Sequence, residues 1–278
     1  MFYEKLDELV YENWAYKHSV IGSMEDLDNA TLEDVREFHD IYYRPNNAVL
    51  AVVGDIDIKE TQEMVEEYFG DIAPGDPPPE VKLSEPPHTA EKRMTWIDNF
   101  APMPAYVCAY LLPERTHPDR YVMEVIEKIL LDGESSRLYQ RFVEQDQSLV
   151  HVYGGVDNKF GPSVFMFFGQ VKPGIELKTI EQTLEGELAR LQQDGISERE
   201  LEKAKNQFKT DFIQKLERVA YKADLLCMYT TFFNDPELLY SELERFMNVT
   251  AEDIQRVAQT YFTRTNRSVI EVYPKQMS

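Results

Sequence analysis

The sequence of 278 residues has few cysteines, little positive charge and no long apolar run. Its two cysteines, Cys108 and Cys227, lie in apolar surroundings and are predicted to be buried thiols, not a disulfide or a catalytic group. The formal net charge of −21 repels phosphate backbones and argues against nucleic-acid binding. No stretch approaches the roughly 18 consecutive apolar residues of a membrane span. The first residues lack the basic start and apolar core of a signal peptide.

The sequence also lacks a recognisable metal or nucleotide site. A zinc helix of the H-x-x-E-H type needs two histidines four residues apart, and the five histidines form no such pair. The glycine-containing stretches "LLDGESS" and "VYGGV" lack the spacing of a phosphate loop. One segment comes near the zinc pattern: "YVMEVIEKILLDG" (121–133) carries Glu124 and Lys128 at the two histidine positions. We therefore expect no catalytic, metal or cofactor-binding residue in this chain.

Apolar periodicity predicts an α+β chain with one internal boundary. Helices are expected at 2–16, 31–43, 57–72, 117–132, 135–146, 174–194, 197–232 and 250–262. Strands are expected at 47–55, 93–98, 104–112, 149–157, 163–171 and 267–273. Between them, residues 73–92 are rich in proline and poor in apolar side chains, which is typical of a linker. The boundary divides the chain into residues 1–72 and 93–278.

An internal repeat relates the two parts. "TLEDVREFHDIYYRPNNAVLAVVG" (31–54) matches "TAEDIQRVAQTYFTRTNRSVIEVY" (250–273). The helix starts align at a constant spacing, and a shift of one residue then pairs Asn46, Val49 and Val52 with Asn266, Val269 and Val272. Duplication explains this match better than convergence does. Because the second copy begins near residue 93, the repeat implies that about 125 residues of the first copy are missing.

The segment "YKHSVIGSMEDLDNATLEDVREFHDIYYRPNNAVLAVVGDID" resembles the helix-to-strand region of the insulinase-like zinc peptidases, which include pitrilysin and mitochondrial processing peptidase. "LLDGESSRLYQRFVEQ" resembles the start of their non-catalytic domain. The resemblance implies duplicated two-layer domains, each a mainly antiparallel sheet covered on one face by helices, with the first copy incomplete. Residues 1–72 would be the C-terminal part of the catalytic-type domain, and 93–278 a complete non-catalytic domain.

The resemblance also implies a function. The zinc ligands and the catalytic glutamate of the family precede the segment that matches residue 1, so this chain would be the non-catalytic portion of a zinc metalloendopeptidase. It would form part of a chamber wall and of the peptide-binding surface, with zinc held only in the full-length parent, and would be inactive alone. The alternative is a metal-free scaffold or partner subunit, like the core proteins of the cytochrome bc1 complex. Expected partners are a peptide substrate and the missing catalytic segment or a partner subunit.

A homodimer is a further possibility, because strand 47–55 would otherwise lack the sheet partners that bury its faces. The resemblance leaves the compartment open, with a soluble bacterial protein of the cytoplasm or periplasm expected. No membrane span is expected.

Two residues are candidates for binding substrate. In many members of the family an arginine and a tyrosine of the non-catalytic domain hold the substrate backbone, and the corresponding positions here are Val143 and His151. Arg141 and Tyr153 lie nearby and are the predicted substitutes. Aligned through Gly133, the helix around Glu124 and Lys128 is the second copy's counterpart of the zinc helix.

Overall fold

The computed structural model describes residues 2–275, which divide into two compact units. The sheet unit comprises the residues up to His18, Leu83–Thr210 and those from Leu243 onward. The helical unit comprises Ser19–Lys82 and Asp211–Glu242. The proposed boundaries at 1–72, 73–92 and 93–278 stay a prediction.

The sheet unit is built on five strands. They are β1 (Lys92–Asp98), β2 (Ala105–Leu111), β3 (Leu149–Val156), β4 (Val164–Val171) and β5 (Arg267–Pro274). Their order is β1-β5-β2-β4-β3, with β1 parallel to β5 and the other neighbours antiparallel. This confirms the predicted α+β class and its mainly antiparallel sheet. Within the described residues, β1 and β3 are the edge strands.

The helices of the sheet unit follow the predicted positions with shorter bounds. They are α1 (Phe2–Val10), α2 (Trp14–Lys17), α6 (Asp119–Leu130), α7 (Arg137–Tyr139, continuing as a π-helix over Gln140–Gln145), α8 (Leu177–Gln193) and α12 (Ala251–Tyr261). Alternate strand residues and the apolar faces of α6, α8 and α12 form the larger core. One prediction was wrong here, because the expected helix over 2–16 is broken where Asn13 caps the start of α2.

Both faces of the sheet are covered. On the face opposite α6 and α8, α1 buries Leu6 and Val10 against Val107, Val164 and Ile270. Three polar contacts fix the segment around α1. The N–H of Gly161 donates to Tyr16 Oη at 2.8 Å, and Tyr11 Oη donates to Pro162 O at 3.1 Å. Lys159 and Asp7 form an ion pair at 2.6 Å. The resemblance implied helices on one face only, so α1 is an addition.

The helical unit contains α3 (Met24–Asn29), α4 (Leu32–Tyr42), α5 (Ile58–Phe69) and α10 (Val219–Phe233). Two further helices, α9 (Glu198–Leu216) and α11 (Leu238–Met247), each have residues in both units. The predicted single helix over 197–232 is thus two helices. The sequence interpretation also missed α3 and α11. In the part of the chain that the structure describes, no helix is long and apolar enough to cross a membrane.

The predicted strand over 47–55 is wrong. Residues 48–53 form no ladder with any described strand, and Val49, Leu50 and Val52 are exposed. A strand forms only against a neighbour that takes up its backbone hydrogen bonds, so an apolar β-branched run is not enough by itself.

The internal repeat is present in the structure at one constant spacing. Both α4 and α12 have 11 residues and begin with reciprocal Thr–Asp capping boxes. A 3₁₀ turn follows each, at Pro45–Asn47 and Arg264–Asn266. Asn47 Nδ2 then donates to Tyr42 O at 2.9 Å, as Asn266 Nδ2 donates to Tyr261 O at 2.8 Å. The counterpart of Asn266 is therefore Asn47 and not Asn46, which corrects the predicted one-residue shift.

Candidate functional site

Helix α6, the predicted counterpart of the zinc helix, uses its polar side chains for structural contacts. Glu124 Oε1 lies 3.4 Å from Arg120 Nη1, and Lys128 Nζ lies 2.5 Å from Asp132 Oδ2. Glu127, at the predicted place of the motif's glutamate, accepts a hydrogen bond from the backbone N–H of Val156 at 2.9 Å. A lysine ammonium cannot donate an electron pair to zinc, so this set does not fit the metal. Among residues 2–275, no group of three or more His, Cys, Asp or Glu side chains could hold a metal ion.

A pair of glycines gives Glu127 access to strand β3. Gly155 has φ +136°, and a Cβ there would lie 2.5 Å from the carboxyl carbon of Glu127. Gly154 has φ +157°, and a Cβ there would lie 1.9 Å from the carbonyl oxygen of Met166 on β4. A side chain at Gly154 would collide with the backbone of Met166, whereas one at Gly155 would displace the carboxylate of Glu127. The glycines of "VYGGV", whose spacing does not fit a phosphate loop, thus allow α6 and β3 to approach closely.

The outer edge of β3 directs backbone groups away from β4 at alternate residues. Asp157 N–H donates inward to Val164 O on β4, whereas Val156 N–H points outward to Glu127. Because successive residues of a strand point their backbone groups to opposite sides, Gly154 and Val152 also face outward. Within the described residues no strand pairs with this edge. The side chain of Glu127 therefore caps one end of an edge on which no described strand pairs, and Val152 and Gly154 lie further along that edge.

A cleft of about 350 Å³ adjoins this edge on the α1 face of the sheet. Tyr153 lies in it, stacked on Phe168 with ring centroids 4.6 Å apart. Burial and the neighbouring Tyr3 raise the pKa of Tyr153 to about 12. Its hydroxyl is protonated at neutral pH, as that of any tyrosine is, and can donate a hydrogen bond. Lys159 Nζ lies 2.6 Å from Asp7 and 3.0 Å from Asp157 in the same cleft. The other lining residues are Tyr3, Leu6, Glu127, Gly154, Gly155, Val156, Val164 and Met166.

Arg141 lies on the other side of the sheet from Tyr153. Its Nε is 3.1 Å from Asp146 Oδ2 and 3.9 Å from Glu187 Oε1, which belongs to α8. Since α8 covers the face opposite α1, the structure does not bring Arg141 and Tyr153 into one cleft. Arg141 instead shares a polar groove with Arg137 and Arg190. That either residue binds substrate stays a prediction, and Tyr153 alone adjoins the open edge.

Comparisons with known proteins extend these observations. A family model described as the peptidase M16 inactive domain matches residues 29–208. The zinc protease PqqE of Helicobacter pylori is 27% identical over 276 residues, which cover 99% of this chain and 62% of that protein. The uncharacterized zinc protease YmxG of Bacillus subtilis is 24% identical over 263 residues, covering 94% of this chain and 62% of its own length. The chain thus spans less than two thirds of these relatives.

Solved structures of related proteins have the same fold as this chain. The crystal structure of a protease from Helicobacter pylori matches with a TM-score of 0.92 at 27% identity, covering 98% of this chain and 66% of that one. A peptidase M16 inactive domain from Pseudomonas fluorescens matches with a TM-score of 0.85 at 18% identity, covering 99% and 65%, and supports the fold alone. The chain belongs to the peptidase M16 inactive domain family, which confirms its resemblance to the insulinase-like zinc peptidases.

Proposed function

We propose that this chain is the non-catalytic portion of a zinc-dependent metalloendopeptidase and that it holds extended peptides at the outer edge of β3. The observation that carries this proposal is the open edge of β3 beside the cleft that contains Tyr153. The catalytic part holds the zinc and cleaves, while this chain contributes chamber wall and binding surface. We assign no catalytic step to α6, since Lys128 cannot ligate zinc and Glu124 and Glu127 contact Arg120 and the N–H of Val156.

Strand addition suits this edge. An extended peptide would pair its backbone with the outward N–H and C=O groups of Val152 and Gly154. The glycine has no side chain to hinder the approach, and Tyr153 would contact a peptide side chain from the cleft. Pairing would stop at Val156, because its N–H already binds Glu127. The edge therefore accepts a short segment in one register.

The charge around the edge favours basic peptides. The carboxylates of Asp7, Glu127 and Asp157 line the cleft with the single ammonium group of Lys159. The chain as a whole carries a net charge of −21, which attracts cationic ligands at low ionic strength. We expect peptides rich in lysine or arginine to bind more tightly than acidic ones, and this preference to weaken with salt.

Backbone methylation of the ligand tests strand addition. The probe is a fluorescein-labelled ten-residue peptide of alternating lysine and valine, with binding measured by fluorescence anisotropy. Methylating the N–H groups of alternate residues blocks one edge of the peptide strand. One methylated series should lose at least about tenfold in affinity, and the series methylated at the other positions should keep it. Equal binding of both series would contradict the proposal.

A protein variant gives the matching test. Val152→Pro removes an outward N–H that no described strand uses, so β3 should keep its pairing with β4. The variant should bind the peptide at least about tenfold more weakly, whereas Val152→Ala, which keeps the N–H, should bind as the parent does. If neither variant nor parent binds peptide even when the catalytic part is present, the metal-free scaffold becomes the better interpretation. Zinc at one equivalent with peptidase activity in this chain alone would overturn both.

A further inference from the structure

The outer side of β1 is a second edge on which no strand of the described chain pairs. The backbone N–H of Lys275 donates to Asp98 O at 3.1 Å, so Asp98 directs its backbone groups toward β5. Because these groups alternate along a strand, Arg93, Thr95 and Ile97 direct theirs outward. Ile97 is 63% exposed, and Thr95 is exposed as well. This edge belongs to the sheet of the second copy of the repeat, not to the first copy.

Strand β1 lacks the devices that protect most edge strands. Soluble proteins usually place a charge, a proline or a bulge on such a strand, which prevents pairing with another chain. The centre of β1, Met94–Ile97, has none of these, and its register with β5 is regular. The charges stand at the two ends, with Lys92 first and Asp98 last. An uncharged centre between opposite end charges favours pairing with a strand of the same sequence that runs the other way.

The sequence of β1 is complementary to itself in reverse. When two molecules of this chain are placed antiparallel about a two-fold axis at Thr95, Lys92 of one lies opposite Asp98 of the other. Met94 lies opposite Trp96, and both pack on the α1 face of the sheet, so this pair is apolar. No like charges stand opposite each other, and the outward N–H and C=O groups meet as hydrogen-bonded pairs.

The other antiparallel registers that use the outward groups are less favourable. An axis at Arg93 would place the two guanidinium groups opposite each other, which is destabilising. An axis at Ile97 would leave Lys92 without an opposite residue in the strand, because β1 ends at Asp98. The axis at Thr95 pairs all 7 residues of β1, and Arg93 then lies opposite Ile97, on which its aliphatic stem can pack.

We propose that β1 is a homodimerisation edge, at which two molecules of this chain pair their β1 strands antiparallel about a two-fold axis at Thr95. The two sheets, each in the order β1-β5-β2-β4-β3, then form one continuous sheet. Both β3 strands lie at its outer ends. The dimer therefore leaves both β3 edges open, and this inference does not depend on the proposed function.

Cysteine cross-linking tests the register. In a hydrogen-bonded antiparallel pair the Cα atoms lie about 5.5 Å apart, a distance that a disulfide spans. In a Cys227→Ser background, Thr95→Cys should give a disulfide-linked dimer on mild oxidation, measured by non-reducing electrophoresis. Ile97→Cys is the matched control, because the two copies of that position lie about 14 Å apart in this register and should stay unlinked. No link in Thr95→Cys, or an equal link in Ile97→Cys, would overturn the inference.

Light scattering gives the oligomeric state of the unmodified chain. At roughly 50 μM the parent should have twice its monomer mass of 32.5 kDa, which requires a Kd of about 10 μM or tighter. Thr95→Pro removes an outward N–H that β5 does not use, so the variant should keep β1 and be monomeric. Thr95→Val keeps the N–H, and Val152→Pro changes only the β3 edge, so both should dimerise as the parent does. A monomeric parent would overturn the inference, as would a dimer that Thr95→Pro leaves intact.

A charge exchange separates lost pairing from lost folding. Lys92→Glu and Asp98→Lys each place like charges opposite each other in the homodimer, and each should weaken it at least about tenfold. Mixed in equal amounts, the two variants should form a heterodimer, because both ends of the paired strands then join opposite charges. The mixture is the decisive measurement, since Lys92 Nζ also donates to Val10 O at 2.8 Å. Variants that are folded by circular dichroism and stay monomeric when mixed would overturn the inference.

Discussion

The carboxylate of Glu127 and the backbone N–H of Val156 form a 2.9 Å hydrogen bond that joins α6 to the outer edge of β3. The sequence prediction places Glu127 at the glutamate of the zinc motif, and in the structure its carboxylate accepts a backbone hydrogen bond. Gly155 makes the bond possible, since a Cβ at that position would collide with the carboxylate. Glu127 and the pair Gly154–Gly155 therefore form one contact between α6 and β3.

This coupling predicts the outcome of a double-mutant cycle. Glu127→Ala should lower the free energy of unfolding by about 1.5 kcal/mol through the lost charged hydrogen bond. Gly155→Ala should cost about 1–3 kcal/mol because of its positive φ and the collision. In the double variant the collision is absent, so the combined loss should be smaller than the sum of the two. Urea denaturation of the four proteins measures this, and simple additivity would refute the coupling.

The buried guanidinium of Arg267 should be a major source of stability. Only 2% exposed, it forms ion pairs with Glu91, with Glu181 at 2.8 Å and with Glu185 at 2.6 Å. Arg267→Ala would take this partner from Glu185, while Arg93 still pairs with Glu91 and Glu181, and should cost about 3 kcal/mol in chemical denaturation. Arg264 is a matched control, because it lies 3.7 Å from the same Glu91 and is 80% exposed. Its replacement by Ala should cost less than about 0.5 kcal/mol.

The pair of Arg137 and Glu200 predicts an acid-dependent contribution to stability. The hydrogen bond from Arg137 lowers the pKa of Glu200 to about 2, from an ordinary value of 4.5. A carboxyl whose pKa is lowered by folding contributes stability above its unfolded pKa and loses it as the pH falls through the folded value. Arg137→Gln should therefore destabilise the chain at pH 7. The difference in melting temperature between the variant and the parent should shrink as the pH falls from 4.5 to 2, which thermal melts across that range measure. A difference that stays constant would indicate lost packing instead.

The two thiols should react differently in the native chain. Cys108 is fully buried on β2, and burial raises the pKa of its thiol to about 12, whereas Cys227 is partly exposed. A chromogenic disulfide reagent should modify about one thiol per native chain and two after denaturation. Cys227→Ser should abolish the native reaction and Cys108→Ser should leave it unchanged. Rapid modification of both thiols in the folded parent would contradict the packing of β2.

Much of the sheet unit could be predicted from the sequence because its patterns are local. The capping box at Thr250 predicts the start of α12, and the apolar run after Asn266 predicts β5. The segment 47–55 has the same pattern and was predicted wrongly, because a strand depends on neighbours that the sequence of the segment does not encode. The helix of α11 was missed although its apolar positions recur at helical spacing.

The candidate site was less predictable, for a physical reason. Arg141 and Tyr153 lie close in sequence, yet the strand turns Tyr153 toward α1 while Arg141 follows the helix layer toward α8. The meaning of Gly154 and Gly155 depends on Met166 and Glu127, which approach them only in the folded chain. A glycine pair within a strand pattern does signal close backbone approach. That signal could have drawn attention to "VYGGV" before the structure did.

The constant spacing of the repeat has a consequence for engineering. Residues 92–130 of this chain already form the two strands and the helix that accompany β5 and α12. If the two copies are structurally interchangeable, a second set of these residues, redesigned on its surface and supplied from outside, would be a template for capping the exposed copy. Residues 92–130 are therefore a template from which protein design could build an element that packs on the first copy of the repeat.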